Sequence, residues 1–66
     1  MKHKLDALIE EMVEKGIRLP EARREFEKRF VTQVLQNHKG NVSRAAQQLR
    51  MHRNTLGKKI TEYKLQ

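Results

Sequence analysis

Apolar residues recur along the chain with the 3.6-residue period of helices, and no stretch shows the two-residue alternation of a strand. Leu5, Leu8, Ile9, Met12 and Val13 fall at i, i+3, i+4, i+7 and i+8, which makes one apolar stripe on a first helix. Gly16 suits a left-handed stop, so this helix is expected from about Lys4 to Lys15. After the short connector Ile17-Arg18-Leu19, Pro20 fits the first turn of a second helix, where its missing N–H is harmless. Glu21 behind it favours the positive end of the helix dipole. The second helix is expected from about Pro20 to His38, with Ala22, Phe26, Phe30, Val31, Val34 and Leu35 in its apolar pattern. This stripe is wider than the first. Its width implies several neighbours: the first helix, the helices that follow, and a second chain.

Lys39-Gly40-Asn41 interrupts the pattern, with Gly40 as a helix stop and Asn41 as a strong N-cap. A third helix is expected over Val42–Leu49 with Val42, Ala45, Ala46 and Leu49 inward, then a turn at Arg50-Met51. A fourth is expected from about His52 to Lys64, with Leu56, Ile60 and Tyr63 buried. The fold class is therefore all-α: a helix pair over residues 1–38 followed by a helix-turn-helix over 39–66. Ala45 and Ala46 supply the small residues that a close helix crossing needs, and Met51 plugs the turn.

Stepping about 100° per residue from an inward Leu56 turns Asn54, Lys58 and Thr61 outward, flanked by Arg53, Thr55, Gly57 and Lys59. Arg can pair bidentately with guanine and Asn with adenine, while Thr and Lys suit phosphates. The start of the third helix, from Asn41 to Ser43, offers free backbone N–H groups and a positive dipole end, a natural phosphate site. Asn41 itself reads better as a cap than as a base reader. Arg50 in the turn adds a candidate phosphate contact.

Charge sharpens this reading. The net charge is +7. Residues 1–38 hold eight Lys/Arg and seven Asp/Glu, whereas residues 39–66 hold seven Lys/Arg and one acidic residue, Glu62. Solubility alone does not require that asymmetry, whereas charge of one sign concentrated on a short module is the electrostatic footprint of a polyanion binder. Only 36% of the residues are apolar and none is Cys. A core this small is marginal by itself, and association with another copy is the remaining common source of stability. No apolar run approaches the ~18–20 residues needed to span a bilayer, and there is no signal-peptide core. His3, His38 and His52 lie in separate segments without metal-ligand spacing, so no metal is expected. No cofactor motif, nucleophile elbow or convergent titratable set points to an enzyme or a small-molecule substrate.

Gly40-Asn41-Val42-Ser43-Arg44-Ala45-Ala46, followed by His52-Arg53-Asn54-Thr55-Leu56-Gly57-Lys58-Lys59-Ile60, resembles the Fis-type helix-turn-helix. That family includes the factor for inversion stimulation and the C-terminal domains of NtrC-like sigma-54-dependent activators. The resemblance implies a bacterial, cytoplasmic, nucleoid-associated protein that regulates transcription or shapes DNA. It also implies a homodimer built from the first two helices, with two fourth helices in successive major grooves. Carried over by position, His52, Arg53, Thr55, Gly57 and Lys58 fall at DNA contacts, and Asn41 and Ser43 fall where the third helix approaches the backbone. Periodicity agrees on Arg53, Thr55 and Lys58; it alone promotes Asn54 and Thr61, and it places Lys59 beside them. The expected dimer interface comprises Leu5, Leu8, Ile9, Met12, Val13, Phe26, Phe30 and Val34. The chain departs from the family pattern at Arg50, where the turn usually has Gly, and at Gly57, where a longer polar residue is common.

The main alternative is a basic helical module that binds an acidic protein, which accounts for the charge but not for the Ala-Ala crossing. RNA binding is disfavoured because Phe26, Phe30 and Tyr63 are all placed inward, leaving no stacking platform. The sequence is compatible with a whole protein or with a domain of a larger activator.

Overall fold

The computed structural model describes residues 2–65. Its four helices are α1 (Lys2–Glu14), α2 (Leu19–Asn37), α3 (Val42–Leu49) and α4 (Arg53–Tyr63), and no strand occurs among the described residues. The third helix has the expected bounds. The ends of the others lie one or two residues from those expected, as helix ends commonly do.

All four helices stop by the same hydrogen bond. The N–H groups of Ile17, Gly40, Met51 and Leu65 donate to the carbonyls of Met12, Leu35, Ala46 and Ile60 at 3.1, 2.8, 3.0 and 2.9 Å. The residue before each donor is left-handed: Gly16, Lys39, Arg50 and Lys64 have φ of 74°, 54°, 55° and 57°. Gly40 was expected to stop the second helix, but Lys39 takes that closing position and Gly40 follows with its own φ of 81°. The reversal between α2 and α3 uses two successive left-handed residues, and one glycine can fill only one of them.

The core forms where α2, α3 and α4 meet. Val31, Val34 and Leu35 of α2 pack with Ala45 and Ala46 of α3 and Leu56 of α4. Ala45 and Leu56 are 0% exposed. Without side-chain bulk at Ala45 and Ala46, α4 approaches closely enough to seat Leu56 completely. Val42, Leu49, Met51, Ile60 and Leu65 close the edge of this cluster.

A polar tie joins α2 to the second half of α4. The Tyr63 hydroxyl donates to Glu27 Oε2 at 2.6 Å, and Lys59 Nζ pairs with Glu27 Oε1. The hydrogen bond to Glu27, followed by burial, raises the Tyr63 phenol above its ordinary 10.0. The bonds from Lys59 and Tyr63 lower the Glu27 carboxyl below its ordinary 4.5. The stabilisation from this cluster is therefore complete between pH 4.5 and 10.0. It fades as pH falls through the lowered Glu27 value, and again as pH rises through the raised Tyr63 value.

Helix α1 contributes no buried residue. Leu8, Ile9 and Val13 are 51%, 47% and 69% exposed, and Met12 is half-buried. The radius of gyration is 13.4 Å, against about 11 Å for a compact domain of this length, because the α1 end of the chain is not drawn into the core. Val34, expected on the dimer face, is 4% exposed and belongs to the protomer's own core. It lies on the side of the wide α2 stripe that α3 and α4 already cover.

Two expected outcomes follow from these features. Arg50→Gly removes a side chain from a left-handed position and should stabilise the fold by about 1 kcal/mol in urea denaturation; an unchanged or lower midpoint would show that Arg50 carries no strain. Tyr63 is the sole tyrosine and there is no Trp, so ultraviolet titration reads it alone. Its midpoint should lie above 10.0 and fall in Glu27→Gln; a midpoint indifferent to that substitution would mean the bond is not formed in solution.

Candidate nucleic-acid interface

Each helix of the C-terminal pair begins at a side-chain cap. Asn41 Oδ1 accepts from the Arg44 N–H at 3.1 Å, so this side chain is committed to the start of α3. The N–H groups of Val42 and Ser43 precede any intrahelical acceptor and point out of the helix end. His52 Nδ1 accepts from the Asn54 N–H at 3.1 Å and caps α4. With Nδ1 accepting, the proton of the neutral ring sits on Nε2, which is left as an outward donor.

An open groove runs between the start of α3 and the outer face of α4. It is lined by Val42, Arg53, Asn54, Gly57, Lys58, Thr61 and Glu62. The groove thus gathers four of the residues expected to meet DNA: Arg53, Asn54, Gly57 and Lys58. Arg53, Asn54 and Lys58 are exposed. Thr55, Ser43 and Arg50 are exposed as well but lie outside its lining. A Cβ added at Gly57 would meet nothing within 4 Å, so close packing within the protomer does not account for this glycine.

Lys59 is set apart from these residues. It is half-buried, and its ammonium turns away to Glu27 on α2. That ion pair raises its pKa above 10.5, so the charge persists but is already matched.

Two further charged side chains border this face. Arg44 is exposed on α3 beside Gln47, Gln48 and His38. The signal was present: with Val42, Ala45, Ala46 and Leu49 inward, Arg44 must face out. Glu62, the one acid of this half, lines the groove at the end away from the caps. His38 and His52 have local roles, since His38 Nε2 bonds Gln48 Oε1 at 2.6 Å and His52 caps α4. Among the described residues, no group of three potential metal ligands comes together, and no helix is long and apolar enough to cross a membrane.

The residues of the expected dimer interface lie elsewhere. Leu8, Met12, Ile17, Phe26 and Phe30 line a second groove between α1 and α2. The Phe26 and Phe30 rings lie 5.6 Å apart, and both residues are about half exposed, at 55% and 51%. Leu5 and Ile17, each 37% exposed, and Leu19, 69% exposed, add to the uncovered apolar surface of this half.

Comparison with known proteins agrees with the geometry of the C-terminal half. Residues 22–63 match the model of a family described as "Bacterial regulatory protein, Fis family". Neither the curated proteins nor the solved structures gave a match. The matched span covers most of α2 and all of the capped α3–α4 pair, which is more than half of the chain. The chain therefore belongs to the Fis family of bacterial regulatory proteins and carries that family's DNA-binding helix-turn-helix.

Proposed function

We propose that the protein acts as a homodimer that places its two α4 helices in successive major grooves of duplex DNA, in the nucleoid, to regulate transcription or shape DNA. The observation that carries this reading is the exposed outer face of α4, where Arg53, Asn54 and Lys58 share one groove with the start of α3. In this arrangement Arg53 and Asn54 read base edges. Lys58, Thr55 and Arg50 hold phosphates, and the Val42 and Ser43 amides receive another phosphate at the positive end of α3. His52 donates from Nε2 while its other nitrogen caps the helix. Gly57 leaves a notch instead of a contact. Arg44, exposed on α3, adds positive charge to the same half.

A second copy covers the apolar surface of α1 and α2. Leu5, Leu8, Ile9, Met12, Val13, Phe26 and Phe30 supply that interface in our reading, and Val34 supports it from within the protomer. Two considerations support this. A contiguous apolar patch on so small a chain is costly to leave wet, and the protomer core alone is thin. Alternating acidic and basic residues border the patch, including the Lys15–Glu11 and Arg29–Glu25 pairs at 3.0 and 2.9 Å. Such a rim suits a self-complementary interface with a dry centre.

Selection of bound duplexes from a random pool tests the whole reading: it should yield a two-fold palindrome with half-sites about one turn apart. A pool that shows no enrichment would end it, and competition by an acidic protein partner for the same face would favour the interaction-module alternative. Arg53→Ala should weaken binding by about 1–3 kcal/mol with relaxed preference at one base pair; an unchanged affinity would remove Arg53 from base reading. Phe26→Ser combined with Phe30→Ser should shift sedimentation from dimer to monomer at micromolar concentration. A double variant that sediments like the unaltered chain would place the interface elsewhere.

A further inference from the structure

Glu27 occupies an unusual place on α2. Residues 27, 31 and 34 form one row at i, i+4 and i+7, and Val31 and Val34 of that row are buried in the core. Glu27 is the polar end of this row and lies over the second half of α4. Its two carboxylate oxygens hold separate donors, Lys59 Nζ on Oε1 and the Tyr63 hydroxyl on Oε2 at 2.6 Å. Those donors sit one helical turn apart. The Arg24 guanidinium lies 5.8 Å from the Tyr63 ring centre and backs the same cluster. Among the described residues, no other side-chain hydrogen bond or ion pair joins α2 to α4.

Apolar contacts such as that of Leu56 are non-directional. Leu56 settles which face of α4 turns inward; a carboxylate gripping two successive turns of α4 is directional, and it narrows the remaining freedom of α4 to rotate and to slide along α2. A partly exposed pair of this kind contributes little to stability. Its physical value is geometric. Phe26 and Phe30, beside Glu27 on α2, belong to the uncovered apolar face. The tie therefore connects the segment that meets a second copy with the helix that meets DNA.

The geometry points to Glu27 as a positioning residue that, through Lys59 and Tyr63, sets the angle of α4 against the dimer-facing half of α2 and so selects the half-site spacing the dimer accepts. This rests on the dimeric DNA-binding reading above. It also assigns Lys59 to α2 and not to phosphate.

The test is binding of the full chain to duplexes whose two half-sites are separated in one-base-pair steps, together with a single half-site duplex. The wild-type protein should favour one spacing by about ten-fold over its neighbours. Glu27→Gln should keep single-half-site affinity within about two-fold and flatten the spacing preference below about three-fold. Lys59→Met breaks the pair from the other side, should flatten the profile in the same way, and should leave the salt slope on the half-site unchanged. The exchanged pair E27K/K59E rebuilds the tie with opposite polarity and should restore the preference. A spacing profile in Glu27→Gln or Lys59→Met as steep as wild type overturns the proposal. So does an exchanged pair that binds half-sites but stays flat. Failure of the wild-type protein itself to prefer paired over single half-sites refutes the dimeric reading, and the spacing role falls with it.

Discussion

The seating of Leu56 against Ala45 and Ala46 is the contact on which the rest of the structure depends. Among the described residues, Leu56 is the one large side chain with no exposed surface. It reaches that state because the two alanines let α3 and α4 cross at short range, and because Val31, Val34 and Leu35 close the third side. Once that edge of α4 is fixed inward, helical geometry fixes the opposite edge outward. Arg53, Asn54 and Lys58 are displayed because Leu56 is hidden. Removing the leucine side chain would leave a cavity among helices that have little else to hold them, and cavities in such cores cost about 2–5 kcal/mol.

The molecule divides its apolar residues between two tasks. The half of α2 from Val31 onward serves the protomer, and the half up to Phe30, with α1, presents apolar surface that the chain itself leaves uncovered. Charge follows the same division. The acidic residues concentrate where apolar surface is uncovered, and the uncompensated bases concentrate around the α3–α4 groove. Glu27 stands at the boundary and, among the described residues, is the one acid that reaches into the basic half to take a lysine.

The helices were legible in the sequence because each carries local signals. Asn41 caps α3, the Val42–Ala45–Ala46–Leu49 stripe faces the core, and the turn expected at Arg50-Met51 is present, with Arg50 at φ of 55°. The inward set of α4 was legible for the same reason: Leu56 and Tyr63 are buried and Ile60 partly so. Contacts between distant segments were not legible. Nothing near Lys59 in the chain announces Glu27, so periodicity places that lysine with its neighbours on the groove side. The wide stripe on α2 likewise gave no means of telling that Val34 lies under α3 and α4 while Phe30 does not. His52 reads as a candidate base contact from its position, and only the 3.1 Å bond to Asn54 reveals that its ring also begins the helix.

Backbone amide chemical shifts, followed by nuclear magnetic resonance while a selected duplex is titrated into the labelled protein, test the central claim most directly. The account predicts large changes at Val42, Ser43, Arg53, Asn54 and Lys58, with α1 and the Phe26–Phe30 turn of α2 little affected beyond what dimerisation already produces. Changes confined to α1 and the first half of α2, with the α3–α4 groove silent, would contradict it.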